Sequence, residues 1–86
     1  MDYLSITDAD IGKLHRVIAM NVRKIRKEKN VNQLDLALTI GHKSMSTIGK
    51  IEAGLEHKHY NIEQLYKISK ALDVPMCRFF EDIEDL

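Results

Sequence analysis

The sequence predicts an all-α fold of five helices within one domain, and three observations lead to this prediction. Helix-forming residues dominate the 86-residue chain, which only four Gly and one Pro interrupt. Apolar residues recur at intervals of three and four, as they do along one face of a helix. Residues that cap helices precede most of these apolar stretches. Because a chain of this length supports one modest core, we expect a single domain over residues 1–86.

The first predicted helix is long and covers about residues 8–29. Thr7 and Asp10 form a capping-box pattern at its start, and Asn30 suits a left-handed stop at its end. The first turns of this helix need a cover, which either the rest of the domain or a second subunit provides. The apolar stripe along the helix consists of Ile11, Leu14, Ile18, Val22 and Ile25.

Residues 33–54 are predicted to form two short helices joined by a turn. Gly41 ends the first of them, because glycine reaches the left-handed backbone conformation without steric cost. Ser44 is the expected N-cap of the second helix, and Gly54 is its expected end. The inward residues of the two helices are Leu36, Ala37, Ile40, Ile48 and Ile51.

The opposite face of the second short helix carries mostly small, polar or basic side chains. Such a face is unsuited to a protein core. It suits the major groove of DNA, which admits a helix only when nothing bulky stands between the helix and the bases. The residues expected on this face are Met45, Ser46, Thr47, Gly49 and Lys50.

Two further helices are predicted toward the carboxyl end. Asn61 and Gln64 form a second capping-box pattern, and Pro75 suits the first turn of a fifth helix. Cys77 is expected to pack against its apolar neighbours, because free cysteines are usually buried. The expected inward residues are Ile62, Leu65, Ile68, Ser69 and Leu72 on the fourth helix, with Phe79 and Phe80 beyond it.

Charge is distributed unevenly along the chain, although the net charge is zero. Between Ile11 and Tyr60, ten Lys or Arg residues stand against four acids. The two ends hold three basic and nine acidic residues, which include an acidic tail over residues 81–86. A basic middle section can present one positive surface, and the local field governs the attraction to nucleic acid. The alternative is a set of solvated helix faces with no binding role.

Four segments of the sequence occur together in a characteristic order. They are RKIRKEK from Arg23, NQLDLA from Asn32, STIGKIEAG from Ser46 and KALDVPMCRFF from Lys70. As a set they resemble the helix-turn-helix family of phage repressors and Cro, over roughly residues 18–80. The resemblance implies a compact, five-helix, lambda-repressor-like domain whose second motif helix enters the major groove of double-stranded DNA.

The resemblance also implies roles for individual residues. Base reading is expected of Met45, Ser46 and Lys50, with Gly49 allowing a close approach of the helix. Basic and hydrogen-bonding side chains around the motif are expected to contact phosphates. These phosphate candidates are Gln33, Lys43, Thr47 and Lys58.

Two further consequences concern how the motif is held. Arg26 and Glu52 match the positions of a buried salt bridge that joins the first helix to the recognition helix. The alternative for this pair is two surface charges of little energetic value. His42 and Lys43 make the turn one residue longer and more polar than is usual in the family.

No pattern typical of an enzyme is present. The sequence lacks a Ser/His/Asp grouping, suitably spaced paired carboxylates and a glycine-rich phosphate loop, so we expect neither catalysis nor a cofactor. His57 and His59 have no third matching ligand nearby in sequence, so we expect no metal site. The absence of a long apolar run and the lone Cys predict a cytoplasmic protein without a membrane partner.

The expected function is therefore transcription regulation. The favoured form is a repressor that binds an inverted-repeat operator as a homodimer, and the same reasoning favours a second subunit as the cover of the first helix. The alternative is an antitoxin-like or partner-binding module with the same fold. Leu34 and Leu38 support this alternative, because residues four apart form an apolar ridge that is either exposed or packed against the first helix.

Overall fold

The fold consists of helices, and the computed structural model describes residues 5–85. The α-helices are α1 (Asp8–Glu28), α2 (Gln33–Thr39), α3 (Ser46–Ala53) and α4 (Ile62–Leu72), followed by 3-10 helices over Met76–Phe80 and Ile83–Asp85. No strand occurs within residues 5–85, which confirms the all-α prediction. The fifth predicted helix is the first of these two 3-10 helices. Residues 1–4 and 86, which were assigned to the domain and its acidic tail, lie outside the described residues.

Helix α1 begins and ends as its sequence predicts. The Thr7 hydroxyl accepts a hydrogen bond from the backbone N–H of Asp10, and the Asp10 carboxylate accepts one from the backbone N–H of Thr7. These bonds lower the pKa of Asp10, because they favour the ionised carboxyl. After the helix, Asn30 takes the left-handed conformation with φ of 59°. The stripe of α1 is buried only from Ile18 onward, and Ile11 remains exposed within the described residues.

The other helix ends agree with the sequence prediction at most positions. Asn32 and Asn61 cap α2 and α4 by accepting backbone N–H groups in the first turn. Gly41 and Gly54 adopt positive φ angles of 85° and 72°, where a Cβ would be strained.

The start of α3 differs from the prediction that Ser44 is its N-cap. The N-cap position is Met45, whose φ of −81° and ψ of 1° are not the extended conformation of a capping residue. Ser44 lies one residue further out, and its hydroxyl contacts the Ser46 backbone N–H at 3.4 Å and the Ser46 hydroxyl at 3.0 Å. The longer turn before the helix delays its first residue, so the first turn of α3 has no regular side-chain cap.

The core joins α1 to the other helices and to the first 3-10 helix. The prediction that Ile62 and Cys77 point into the core is wrong, because both are exposed. Ile62 is the first residue of α4 and precedes its first buried residue, Leu65, by nearly one turn. A 3-10 helix has three residues per turn, so the inward position of Phe79 leaves Cys77 on another face. The largest fully buried side chains are Phe79, Leu36, Ile48, Ile51, Ile68, Leu72 and Val22.

The carboxyl-terminal segment returns to α1. Asn21 donates its side-chain amide to the carbonyl oxygens of Phe79 and Glu81 at 3.0 and 2.8 Å. Ile83 packs partly buried against the core, so the acidic segment is tied to the domain at its start. Within the described part of the chain, no helix has the length and apolar character needed to cross a bilayer.

Candidate nucleic-acid interface

The inner side of α3 is fixed by a buried carboxylate. Arg26 donates Nε and Nη2 to the two oxygens of Glu52, each at 2.8 Å, and donates Nη1 to the Val31 carbonyl at 2.8 Å. Gln33 donates its side-chain amide to the same carboxylate at 3.1 Å, and Arg23 lies 3.6 Å from it. Because Arg26 belongs to α1 and Gln33 to α2, one carboxylate of α3 joins all three helices.

Tyr60 closes the core near this ion pair. Its hydroxyl is buried and has no hydrogen-bond partner among the described residues. Burial raises the pKa of Tyr60, the Glu52 charge adds to the rise, and the Arg26 charge opposes it. The hydroxyl therefore stays protonated at neutral pH.

The carboxyl end of α3 is held by a second arginine of α1. Arg16 donates Nη1 to the carbonyl oxygens of Ile51 and Glu52, at 3.2 and 2.7 Å. A guanidinium at this end also complements the negative end of the helix dipole. Gly54 ends the helix so close to this group that a Cβ there would lie 3.0 Å from Arg16 Nη1. The two arginines of α1 thus restrain the last turn of α3, Arg26 through the Glu52 side chain and Arg16 through the backbone carbonyls.

The outer face of α3 brings together the residues predicted to read bases. Met45 and Ser46 are exposed at the start of the helix, while Gly49 and Lys50 follow one turn later and are half-buried. With Gly49 between them, the backbone of α3 is accessible beside the two polar side chains. Such a face can donate and accept hydrogen bonds in a groove.

Lys50 already has a partner on the same surface. Its ammonium lies 3.0 Å from a carboxylate oxygen of Glu56, and both side chains are substantially exposed. An exposed pair of this kind contributes little to stability, because water screens it. Glu56 therefore competes with any other acceptor for Lys50, whose ammonium has three N–H donors.

The predicted phosphate-contacting residues lie around α3 in different environments. Lys43 in the preceding turn and Lys58 in the following loop are both exposed, whereas Thr47 is half-buried. Gln33 is half-buried, and its amide nitrogen is used by Glu52. Its amide oxygen lies 3.8 Å from the position that a Cβ of Gly49 would occupy, so the start of α2 adjoins the outer face of α3.

Arg23 is a basic residue at this surface that the sequence reasoning did not select. It is 40% exposed at its side chain and lines a 420 Å³ cleft together with Gln33 and Gly49. Arg16 lines the same cleft, and the two arginines are seven residues apart on α1. This spacing places two residues on one side of a helix, and it could have identified Arg23 as part of a basic surface from the sequence.

Two histidines stack between α1 and the loop that follows α3. The rings of His15 on α1 and His59 in the loop after α3 are stacked, with centroids 3.7 Å apart and planes at 16°. Partial burial lowers the pKa of His15, and repulsion from His59 lowers it further. No cluster of three or more potential metal ligands with suitable geometry occurs within residues 5–85.

A comparison with protein families matches this arrangement. The sequence profile of the helix-turn-helix family matches residues 22–79, more than half of the chain. The match begins in the last third of α1, so residues 5–21 form structure outside it. A search of curated proteins found no relative that matches the chain.

Proposed function

Because the chain belongs to the helix-turn-helix family, as its sequence predicts, we propose that it represses transcription by reading a specific operator with α3. The family is one of DNA-binding transcription regulators. The observation that carries the proposal is the outer face of α3, where Ser46 is exposed and Gly49 and Lys50 are partly exposed, while the inner face is fixed by Glu52. A fixed helix with an accessible polar face can hold its side chains in register with base edges.

Base reading in this proposal falls to Met45, Ser46 and Lys50. Ser46 donates or accepts a hydrogen bond, Lys50 donates to guanine O6 or N7, and Met45 contacts a thymine methyl group. Phosphate contacts fall to Lys43 and Lys58, which are exposed on either side of α3 along the chain, with contributions from Gln33 and Thr47. Arg23 joins this set because its exposed guanidinium lines the cleft beside Gln33.

The proposed assembly is a homodimer on an inverted repeat. Two copies of α3 would then enter successive major grooves about 34 Å apart, one helical turn of DNA. The exposed apolar side chain of Ile6, just before α1, supports a cover from a second subunit.

A partner-binding role is the second candidate, and one observation favours it. Leu34 and Leu38 on α2 are 43% and 56% exposed, so this apolar ridge is not packed against α1. An exposed apolar ridge next to a polar surface suits contact with another protein. An antitoxin-like protein would use both surfaces, since α2 and α3 present different faces.

The direct test is selection from fragments of genomic DNA, including the region upstream of the protein's own gene. We expect selective recovery of one inverted repeat, with affinity that falls steeply as salt rises. The Ser46→Ala/Lys50→Ala double variant should lose this selectivity while remaining folded, since both residues are on the outer face. A Leu34→Ser/Leu38→Ser variant is the matched control and should keep operator binding.

Two other results would contradict operator reading or favour the partner-binding role. Weak, sequence-independent binding that is equal in the wild type and the Ser46→Ala/Lys50→Ala variant would contradict operator reading. Loss of a co-purifying protein in the Leu34→Ser/Leu38→Ser variant, together with that result, would favour the partner-binding module.

A further inference from the structure

A second concave site lies beside α3 and shares Arg16 with the cleft that contains Gln33 and Gly49. It is a cavity of 280 Å³ between the first half of α1 and the loop that follows α3. Its floor includes Ala19 and Ile51, which are buried, and Ile11 forms an apolar wall. Its volume is close to the lower limit of small-molecule pockets, about 300 Å³. The α1 part of the lining lies before the family match begins, whereas the α3 and loop residues lie within it.

Gly12 keeps the cavity open. It lies within α1, where glycine is less favourable than alanine by roughly 0.5–1 kcal/mol. The space beside it is empty, because a Cβ built there would meet no atom within 4 Å. A larger side chain at this position would therefore improve the helix and occupy the cavity.

Arg16 supplies an anion-binding group at the cavity. Its Nη1 is used by the carbonyl oxygens of Ile51 and Glu52. Within residues 5–85, its Nε and Nη2 have no hydrogen-bond or ion-pair partner. Nε and Nη2 form one edge of the guanidinium, which fits the two oxygens of a carboxylate. Lys58 lines the same cavity and adds a second positive charge.

Imidazole rings form a flat part of the lining. His15 and His59 line the cavity and stack on each other at 3.7 Å. Flat aromatic groups pack well against such rings. The cavity also includes the acid Asp8, which is eight residues before Arg16, or about 12 Å along the helix. At that distance its repulsion of an anion at Arg16 is largely screened.

We propose that this cavity binds a small aromatic carboxylic acid, with its carboxylate on the free edge of Arg16 and its ring on the apolar floor. The apolar floor distinguishes this ligand from a bare anion, and the guanidinium distinguishes it from an uncharged aromatic compound. The same guanidinium holds the last turn of α3, so ligand binding is linked to the position of that helix. An effect of the acid on operator affinity rests on the proposed function, whereas ligand binding itself does not.

The test measures ligand binding to the full chain without DNA. Benzoate, benzyl alcohol and inorganic phosphate are titrated separately while backbone amide shifts are followed by NMR. Benzoate should give saturable shifts at Gly12, His15 and Gly54, with an affinity at least about tenfold above those of the alcohol and phosphate.

Matched variants test the two features that define the site. Gly12→Leu should fill the cavity and abolish benzoate binding. Gly12→Ala stabilises the helix in the same way but should retain benzoate binding. Arg16→Gln should reduce benzoate affinity about tenfold, to the level of benzyl alcohol. Lys13→Gln removes a positive charge from the same helix outside the cavity lining and should have little effect. Thermal unfolding of each variant verifies that it is folded.

Each other outcome overturns the proposal. Absence of saturable benzoate shifts up to about 10 mM would show that the cavity is not a ligand site of this class. Equal binding of phosphate would identify a simple anion site, such as a contact for the DNA backbone. Equal binding of benzyl alcohol would show that the carboxylate does not contribute to binding. Unchanged benzoate binding in Gly12→Leu would show that the ligand does not occupy the cavity. All of these results are independent of whether the protein recognises an operator.

Discussion

Arg26 and Glu52 form a two-point ion pair in the core, with both nitrogen–oxygen distances at 2.8 Å and both residues at most 7% exposed. The pair connects α1 to α3 across 26 positions of sequence. The remaining nitrogen of the guanidinium donates to Val31, so each of the three nitrogens of Arg26 has a hydrogen-bond partner. This relationship determines how α3 is presented, because the carboxylate is part of α3 itself.

Removal of one partner of this ion pair should be strongly destabilising. Arg26→Met leaves Glu52 buried with weaker partners, and we expect a loss of about 3–5 kcal/mol in the free energy of unfolding. Urea denaturation measures the loss. Arg78→Met is the matched control, because it removes exposed ion pairs with Glu81 and Glu28 and should cost under about 1 kcal/mol. A loss of that smaller size in Arg26→Met would contradict the role of the buried pair.

The end of α3 should be sensitive to a single methyl group at Gly54. Gly54→Ala places a Cβ at positive φ and 3.0 Å from Arg16 Nη1, so the guanidinium must shift and its bonds to the helix end are weakened. Gly41→Ala is the control, since its φ is also positive and nothing lies within 4 Å of its Cβ position. Both variants should lose about 1–2 kcal/mol for the backbone conformation.

Gly54→Ala should lose roughly 1 kcal/mol more than Gly41→Ala, from the hydrogen bonds of Arg16. Urea denaturation of both variants gives the difference. Equal losses would mean that Arg16 moves without energetic consequence and does not hold α3.

Stability should depend on pH through His15. Its pKa in the folded protein is below its ordinary value of 6.5, so the unfolded chain binds the proton more readily. The associated stability is fully present above pH 6.5 and is lost as the pH falls through that value toward the lowered pKa. Urea denaturation from pH 8 to pH 5 should therefore show a shallower decline in His15→Gln than in the wild type. His42→Gln is the control, and the same slope in His15→Gln as in the wild type would exclude this contribution.

Glu56 should restrain DNA binding by occupying Lys50. Glu56→Gln releases the ammonium from its 3.0 Å contact, and we expect several-fold tighter binding to duplex DNA at low salt, with a smaller gain at high salt. Glu63→Gln is the matched control, because it removes one negative charge and releases Lys67 on α4, away from α3. Fluorescence anisotropy measures both affinities. An equal gain in the two variants would show a general charge effect with no special role for Lys50.

The parts of the fold that depend on neighbouring residues were predictable from sequence. Thr7, Asn32 and Asn61 cap their helices, and Gly41 and Gly54 take the left-handed conformation, because these effects act within one turn. The family motif added the order of the helices. The outer face of α3 follows from the same local periodicity, which is why Met45, Ser46, Gly49 and Lys50 lie together.

The parts that depend on distant contacts were not predictable from local patterns, and the Arg26–Glu52 pair was predicted only through the family resemblance. Arg16 reaches the end of α3 across 35 residues, and no local pattern distinguishes it from other exposed arginines. The stack of His15 on His59 likewise arises only when α1 lies beside the loop after α3. Ser44 failed as an N-cap because the geometry of the longer turn outweighed its local preference.

The most direct test of operator reading by α3 is the difference in affinity between the selected operator and a shuffled duplex of the same composition. Anisotropy titrations at one salt concentration should show a preference of at least about a thousandfold for the operator in the wild type. The same preference should collapse in Ser46→Ala/Lys50→Ala, while affinity for the shuffled duplex changes little. If the wild type binds both duplexes equally, or if the double variant keeps the full preference, α3 does not read the operator and the proposed function is wrong.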